Sequence, residues 1–230
     1  SFGPENIRFG GNTSCVAVHG EEGTLLVLDA GTGIRRLGSR LGRTYPRIDI
    51  LLTHLHMDHL QGLGFFGPLF DPELEVHVWG PATSTMHLDS RLNRYLSPPL
   101  FPVRLREFPS RLTCHDVPRG SLELGEFSVT ADFVCHPGLT VGYRIEAGSR
   151  VLAYLPDHEP ALSEDDFPHD PRWTSGYEIA RDADVLIHDS QLAPNEYETR
   201  VGWGHSTVVD AIAFADLAGA RRLVTYHHDP

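Results

Sequence analysis

The sequence predicts one α/β domain spanning residues 1–230, with more strand than helix, on three observations. Short apolar runs rich in β-branched residues recur from end to end. One amphipathic segment carries both a start and a stop signal for a helix, and metal-binding residue types cluster where the apolar runs stop. In chain order the runs read as strands are 24–29 (TLLVLD), 48–53 (IDILLT), 74–79 (LEVHVW), 127–135, 141–146 (VGYRIE), 151–155 (VLAYL), 185–188 and 223–226. After the first run, Gly31 and Gly33 lack the third glycine of a dinucleotide fingerprint and read as the tight turn that ends the strand. A helix is expected after Pro81, and residues 91–109, rich in proline and aromatics, read as a shaped loop. Another helix is expected near 176–182. The clearest helix is 207–218: Ser206 or Thr207 caps it, Asp210 suits its first turn, Gly219 ends it, and Val208, Val209, Ile212 and Leu217 form its apolar stripe.

Composition bounds the function. With 40% hydrophobic and 22% charged residues the 230-residue chain is an ordinary globular protein, which excludes disorder, collagen and coiled coil. No stretch approaches the roughly 20 apolar residues that span a bilayer, and the first residues lack a basic-then-apolar secretion signal. A soluble cytoplasmic protein without a membrane partner is therefore expected. All nineteen basic residues are arginine, against thirty-one acidic ones, for a formal charge of -12. Without lysine there is no Schiff-base chemistry, and the acidic balance argues against gripping long nucleic acid through many phosphates. Cys15, Cys114 and Cys135 form no CxxC pair and are expected to be reduced and buried, with Cys135 in the core and not a ligand.

The chemistry is concentrated in LLTHLHMDHLQG, where His54, His56, Asp58 and His59 fall within six residues after an apolar run. Imidazole and carboxylate suit zinc and similar divalent ions. In an extended backbone His54 and His56 project to one side and can share an ion, while Asp58 and His59 face a second. His136, Asp157, Asp189 and His227 likewise lie at or just past the end of an apolar run, where open α/β layers carry their ligands. For His77, His19, His87, His115, His158 and His169 a structural or solvated role is expected.

This HxHxDH string resembles the metallo-β-lactamase-fold hydrolases, specifically their tRNase Z-like and phosphodiesterase branch. CHPGLTVGYRIE (135–146), Asp157 in AYLPD, VLIHDSQL (185–192), GHST (204–207) and YHHD (226–229) match later family segments in order. The resemblance implies a four-layer αβ/βα sandwich with two divalent metal ions per chain, Zn2+ above Mn2+ or Fe2+. It places His54, His56 and His136 on one metal, Asp58, His59 and His227 on the other, and Asp157 between them. His227 is preferred to His228 because it comes first after the LVTY run.

Within that resemblance His205 is the residue that points to phosphodiesters, as phosphate contact and general acid, with Asp189 fixing its tautomer and Asp58 counted as both ligand and catalytic carboxylate. A metal pair would polarise the phosphoryl group and generate a bridging hydroxide as nucleophile. Enzymes of the branch that mature tRNA often carry a long arm between the third histidine and the bridging aspartate; here Asp157 follows His136 by only 21 residues. The expected substrate is therefore a small phosphodiester such as a cyclic nucleotide. A lactonase or β-lactamase activity, a tRNA 3'-end endonuclease, and a metal sensor or diiron protein are the rival readings. Phe65, Phe66, Phe70, Pro98, Pro99, Phe101 and Pro102 would wall an apolar pocket or form the contact of a homodimer.

Overall fold

Runs that are apolar on both faces have to become inner strands, and in the computed structural model they do so in two mixed sheets. Residues 10–41, 45–117, 120–160 and 170–228 are described; His169 and Asp229 lie outside them. The chain divides into an N-terminal unit (Phe2–Val117 with Leu124–Glu126) and a C-terminal unit (Pro118–Glu123 with Phe127–Pro230).

In the N-terminal unit the sheet order is β1 (Val16–His19), β2 (Leu25–Leu28), β3 (Arg47–Leu51), β4 (Glu75–Gly80), β5 (Arg111–Asp116). Strands β2 to β5 are parallel and β1 is antiparallel to β2. Leu25, Val27, Ile48, Ile50, Val76 and Val78 share one core with Ile34 of α1 (Gly33–Arg40), Leu60 of α2 (Met57–Leu60) and Leu88 and Leu92 of α3 (Leu88–Leu92). In the C-terminal unit β6 (Gly120–Leu124), β7 (Phe127–Phe133), β8 (Val141–Ala147), β9 (Arg150–Leu155), β10 (Val185–Asp189) and β11 (Leu223–Tyr226) lie in sequential order across the sheet. Strands β9, β10 and β11 are parallel, and β8 is antiparallel to β7 and β9. Ala153, Leu155 and Leu186 pack with α4 (Tyr177–Ala180) and α5 (Val208–Ala218) through Ile179, Ala180, Phe214, Ala215 and Ala218. Because β2 and β3 run together, and β7, β9, β10 and β11 run together, each unit gathers its strand C-termini at one edge. Among the described residues no helix is long and apolar enough to cross a membrane.

Several expectations change. Gly33 is the first residue of α1 and not part of a turn; the helix comes so close to its neighbours that a Cβ at Gly38 would lie 2.9 Å from Phe66 and Pro68 carbons. The helix after Pro81 is delayed to Leu88, where Asp116 Oδ1 accepts the Leu88 N–H at 2.8 Å and so caps α3 from the end of β5. Phe66 and Phe101 are in the core, whereas Phe65 and Phe70 are more than half exposed, so the aromatic and proline cluster is largely a packing device and not a pocket wall. The cysteines are half-buried reduced thiols, Cys135 included. Burial, aided by the charge of Asp29, pushes Cys15 up to about 12.

The cap of α5 is as expected, with Thr207 and Asp210 in a reciprocal capping box and Gly219 left-handed at its end, but its buried face is not. Ala211, Phe214, Ala215 and Ala218 face the sheet, while Val209 and Ile212 are 58% and 52% exposed. The spacing i, i+3, i+4, i+7 with three alanines lets the helix approach the strands closely, which outweighs the larger area that Val and Ile would bury. Phe214→Ala is therefore expected to cost about 3–5 kcal/mol, and Ile212→Ser to stay within about 0.5 kcal/mol of the parent, as read from urea denaturation midpoints at constant slope.

Candidate metal centre

The N-terminal unit builds its part of the site in the turn between β3 and α2. Strand β3 stops at Leu51, and the chain stays extended to His56, the N-cap of α2. Buried His54 and exposed His56 thereby bring ring nitrogens within 4.8 Å of each other. One helical turn on, Asp58 Oδ2 lies 3.3 Å from His59 Nε2. A Cβ on Gly31 would come within 2.2 Å of the Asp58 carbonyl oxygen, so only glycine allows the β2 turn to lie against this segment.

Behind these ligand types stands Asp29, which sequence reasoning missed. It is fully buried and left-handed at φ 60°. Its carboxylate accepts from Thr53 N at 2.8 Å, from Thr53 Oγ1 and from His59 Nδ1 at 2.8 Å. Because the Thr53 hydroxyl proton goes to Asp29, its oxygen accepts from His54 Nδ1 at 3.0 Å. One carboxylate thus fixes two imidazoles with Nε2 as the nitrogen each can offer a metal, the usual arrangement behind a ligand histidine. The available signal was an aspartate ending the apolar run LVLD, the same signal that marked Asp157 and Asp189.

In the C-terminal unit His136 follows β7, Asp157 follows β9, Asp189 ends β10 and His227 follows β11. Asp157 directs Oδ2 to His136 Nε2 and Oδ1 to His227 Nε2, each at 3.6 Å, so its two oxygens serve two histidines. The His136 Nδ1–H donates to the Gly204 carbonyl at 2.9 Å, again leaving Nε2 on the site side. His227 is held at φ 59°, a conformation costly for a non-glycine residue and common at functional positions, whereas His228 is exposed. Asp189, fully buried, accepts from His205 Nδ1 at 2.7 Å and from the N–H groups of His158 and Gln191. Burial pushes the Asp189 carboxyl up, and the bond and charge of His205 pull against it. The His205 ring stacks on His227 at 5.3 Å and meets His136 edge-on at 5.0 Å. Asp189, His205 and His227 also offer atoms within 4.8 Å of one another.

The remaining histidines divide. His158 has the structural role expected of it: it is fully buried and pairs with buried His188 at 2.9 Å. His188 Nδ1–H donates to the Asp189 carbonyl, so its Nε2 accepts from His158 Nδ1–H. Burial drives His188 down to about 4 and His158 well below the ordinary imidazole value, so both are neutral and the chain of bonds has one direction. His77 and His115 are partnered as well, 2.7 Å apart and stacked beside Trp79. His19 bonds Tyr45 and His87 bonds Asp116.

The donor set fits divalent cations: imidazole nitrogens with their far side already engaged, and a carboxylate whose two oxygens face two different histidines. Comparison with known proteins agrees. A family profile described as "Beta-lactamase superfamily domain" matches residues 24–228. Ribonuclease Z of Haloarcula marismortui is 25% identical over 259 residues, covering 94% of this chain and 80% of that protein. Ribonuclease Z of Gemmatimonas aurantiaca is 28% identical over 253 residues, covering 90% and 77%. The crystal structure of the short form of human tRNase Z has a TM-score of 0.71 at 23% identity, covering 94% of this chain and 86% of that one. The chain belongs to the beta-lactamase superfamily and is a metal-dependent hydrolase of the metallo-β-lactamase fold.

Proposed function

We propose that this hydrolase is a phosphodiesterase that cleaves a compact phosphodiester with the help of two divalent metal ions, zinc by the imidazole-rich donor set. His54, His56 and His136 hold one ion, Asp58, His59 and His227 the other, and Asp157 belongs to both. In support, the ligand types of each unit sit at one edge of its sheet, and a single family profile spans both units. When bound, the ions supply Lewis-acid activation of the phosphoryl group and of the attacking water.

The observation that carries the reading is the His205–Asp189 pair beside the metal-ligand histidines. Asp189 takes the His205 Nδ1–H, which turns Nε2 toward the histidines His136 and His227. In the general-acid role Nε2 carries the proton that His205 gives to the departing oxygen. Asp58 takes a proton from water, the water oxygen forms the new P–O bond, and the bond to the leaving group breaks as His205 protonates it.

The compact substrate rests on charge and on topology. The chain carries -12 and no lysine, and the whole interval from His136 to Asp157 contains one hairpin, β8 and β9, joined at Gly148 and Ser149. A second reading, endonucleolytic cleavage at tRNA 3' ends, is favoured by relatives named Ribonuclease Z.

Three outcomes are expected. Asp157→Ala loses metal from both positions, so elemental analysis returns well under two ions per chain; a full complement would end the shared-ligand assignment. His205→Ala keeps its metals and loses roughly 10²–10⁴-fold in turnover. That loss shrinks for nitrophenyl esters, which leave without protonation, and an equal loss for alkyl and nitrophenyl esters would remove the acid role. At matched concentrations small diesters are cleaved at least as efficiently as precursor tRNA, and RNA binding falls less steeply with salt than for a protein making about 6–10 phosphate contacts. Precursor tRNA cut at one 3' position with a far higher kcat/KM than any small diester would decide for the second reading.

A further inference from the structure

The loop before His205 is built more firmly than its position at the surface requires. Glu159, two residues after Asp157 and only 1% exposed, folds beneath it. The Glu159 carboxylate accepts from Gly204 N at 2.7 Å, from Gly202 N at 3.0 Å and from the Tyr197 hydroxyl at 2.8 Å. Gly202 and Gly204 are both left-handed, at φ 81° and 85°. At Gly204 a Cβ would lie 2.3 Å from Pro137 and 2.4 Å from His136 Nδ1, so the loop is pressed onto the residue whose proton its carbonyl accepts. One buried carboxylate therefore fixes both the loop and, through Gly204, the orientation of His136.

What this anchored loop presents outward is Trp203, 60% exposed, with the Arg200 guanidinium 5.7 Å from its ring centroid. The Trp203 N–H donates to the Arg200 carbonyl, closing a turn that sets the ring's starting direction. An indole held on a rigid backbone loses little freedom when a flat group stacks on it, and a neighbouring guanidinium adds cation–π and phosphate contacts. Trp203 is two residues from His205, so their Cα atoms are no more than about 7 Å apart. The anchored backbone that carries Trp203 therefore leads directly into His205.

We infer that Trp203 and Arg200 form a subsite for a flat aromatic leaving group, a nucleobase or aryl ring, with Glu159 as the residue that positions the subsite and His205 together. This rests on the phosphodiesterase reading and narrows it: the ester carries its aromatic group on the oxygen that His205 protonates. The aromatic residues assigned to such a pocket from sequence, Phe66 and Phe101, are core residues, and Trp203 takes their place.

The test uses the metal-loaded protein and two methyl phosphodiesters, one with a phenol and one with a fluorinated alkyl alcohol of matched acidity as leaving group. In Trp203→Ala the ratio of aryl to alkyl kcat/KM is expected to fall roughly ten- to hundred-fold, and Trp203→Phe to restore most of it. A ratio that does not move overturns the subsite. Binding is read separately: adenosine 5'-phosphate should quench tryptophan fluorescence in the parent and not in Trp203→Phe, while ribose 5-phosphate quenches neither. Quenching that survives in Trp203→Phe counts against the subsite. Glu159→Gln should lower the aryl to alkyl ratio and also steepen the dependence of kcat on leaving-group acidity, because poor leaving groups lose the proton His205 supplies, with Glu159→Asp partly restoring both; an unchanged profile removes the positioning role. If no phosphodiester is cleaved but the Trp203-dependent quenching is present, the subsite stands and the phosphodiesterase reading falls.

Discussion

Four carboxylates buried at strand ends govern the rest of this structure. Asp29, Asp157, Glu159 and Asp189 are each at most 2% exposed. An ionised carboxylate taken out of water costs several kcal/mol unless charges and N–H groups surround it. Each therefore acts as an organising centre. Asp29 draws in Thr53 and His59, Glu159 ties down Tyr197, Gly202 and Gly204, and Asp189 gathers His205 with the N–H groups of two neighbouring turns. The irregular segments between strands and helices are ordered because these groups must be satisfied.

The same requirement explains how one residue type serves opposite purposes. His54, His59 and His136 each have Nδ1 engaged by an oxygen acceptor, which fixes the tautomer and leaves Nε2 for coordination. His158 and His188 are buried so completely that burial keeps them neutral, and their directed bonds carry the β10 terminus and the segment after Asp157 as one rigid piece. Packing of both rings against Phe214 links that piece to the core under α5. Helix packing and the precision of the site in the C-terminal unit are thus one mechanical system.

Edge position accounts for the strands that were not legible, although β11, also an edge, was read from its LVTY run. The eight runs identified from sequence became β2, β3, β4, β7, β8, β9, β10 and β11. The three that escaped, β1, β5 and β6, are all sheet edges, where half of each strand faces outward and a polar residue costs little. Helix α1 escaped because two glycines, Gly33 and Gly38, disguise it, although they are what lets it pack closely.

The sequence alone determined which metal-binding residue types stand at the strand ends and in what order, because imidazole and carboxylate chemistry is local and the strand ends that carry it follow from hydrophobic runs of sufficient length. It determined the cap of α5 for the same reason, since Thr207, Asp210 and Gly219 act within one turn of the helix. Only the tertiary structure decided which face of α5 is buried, which of two adjacent histidines after β11 turns toward Asp157, and that Asp29 and Glu159 stand behind the site. Those choices depend on how closely backbones approach and on which buried charge needs which donor. Both are properties of residues far apart in sequence, and no local pattern records them.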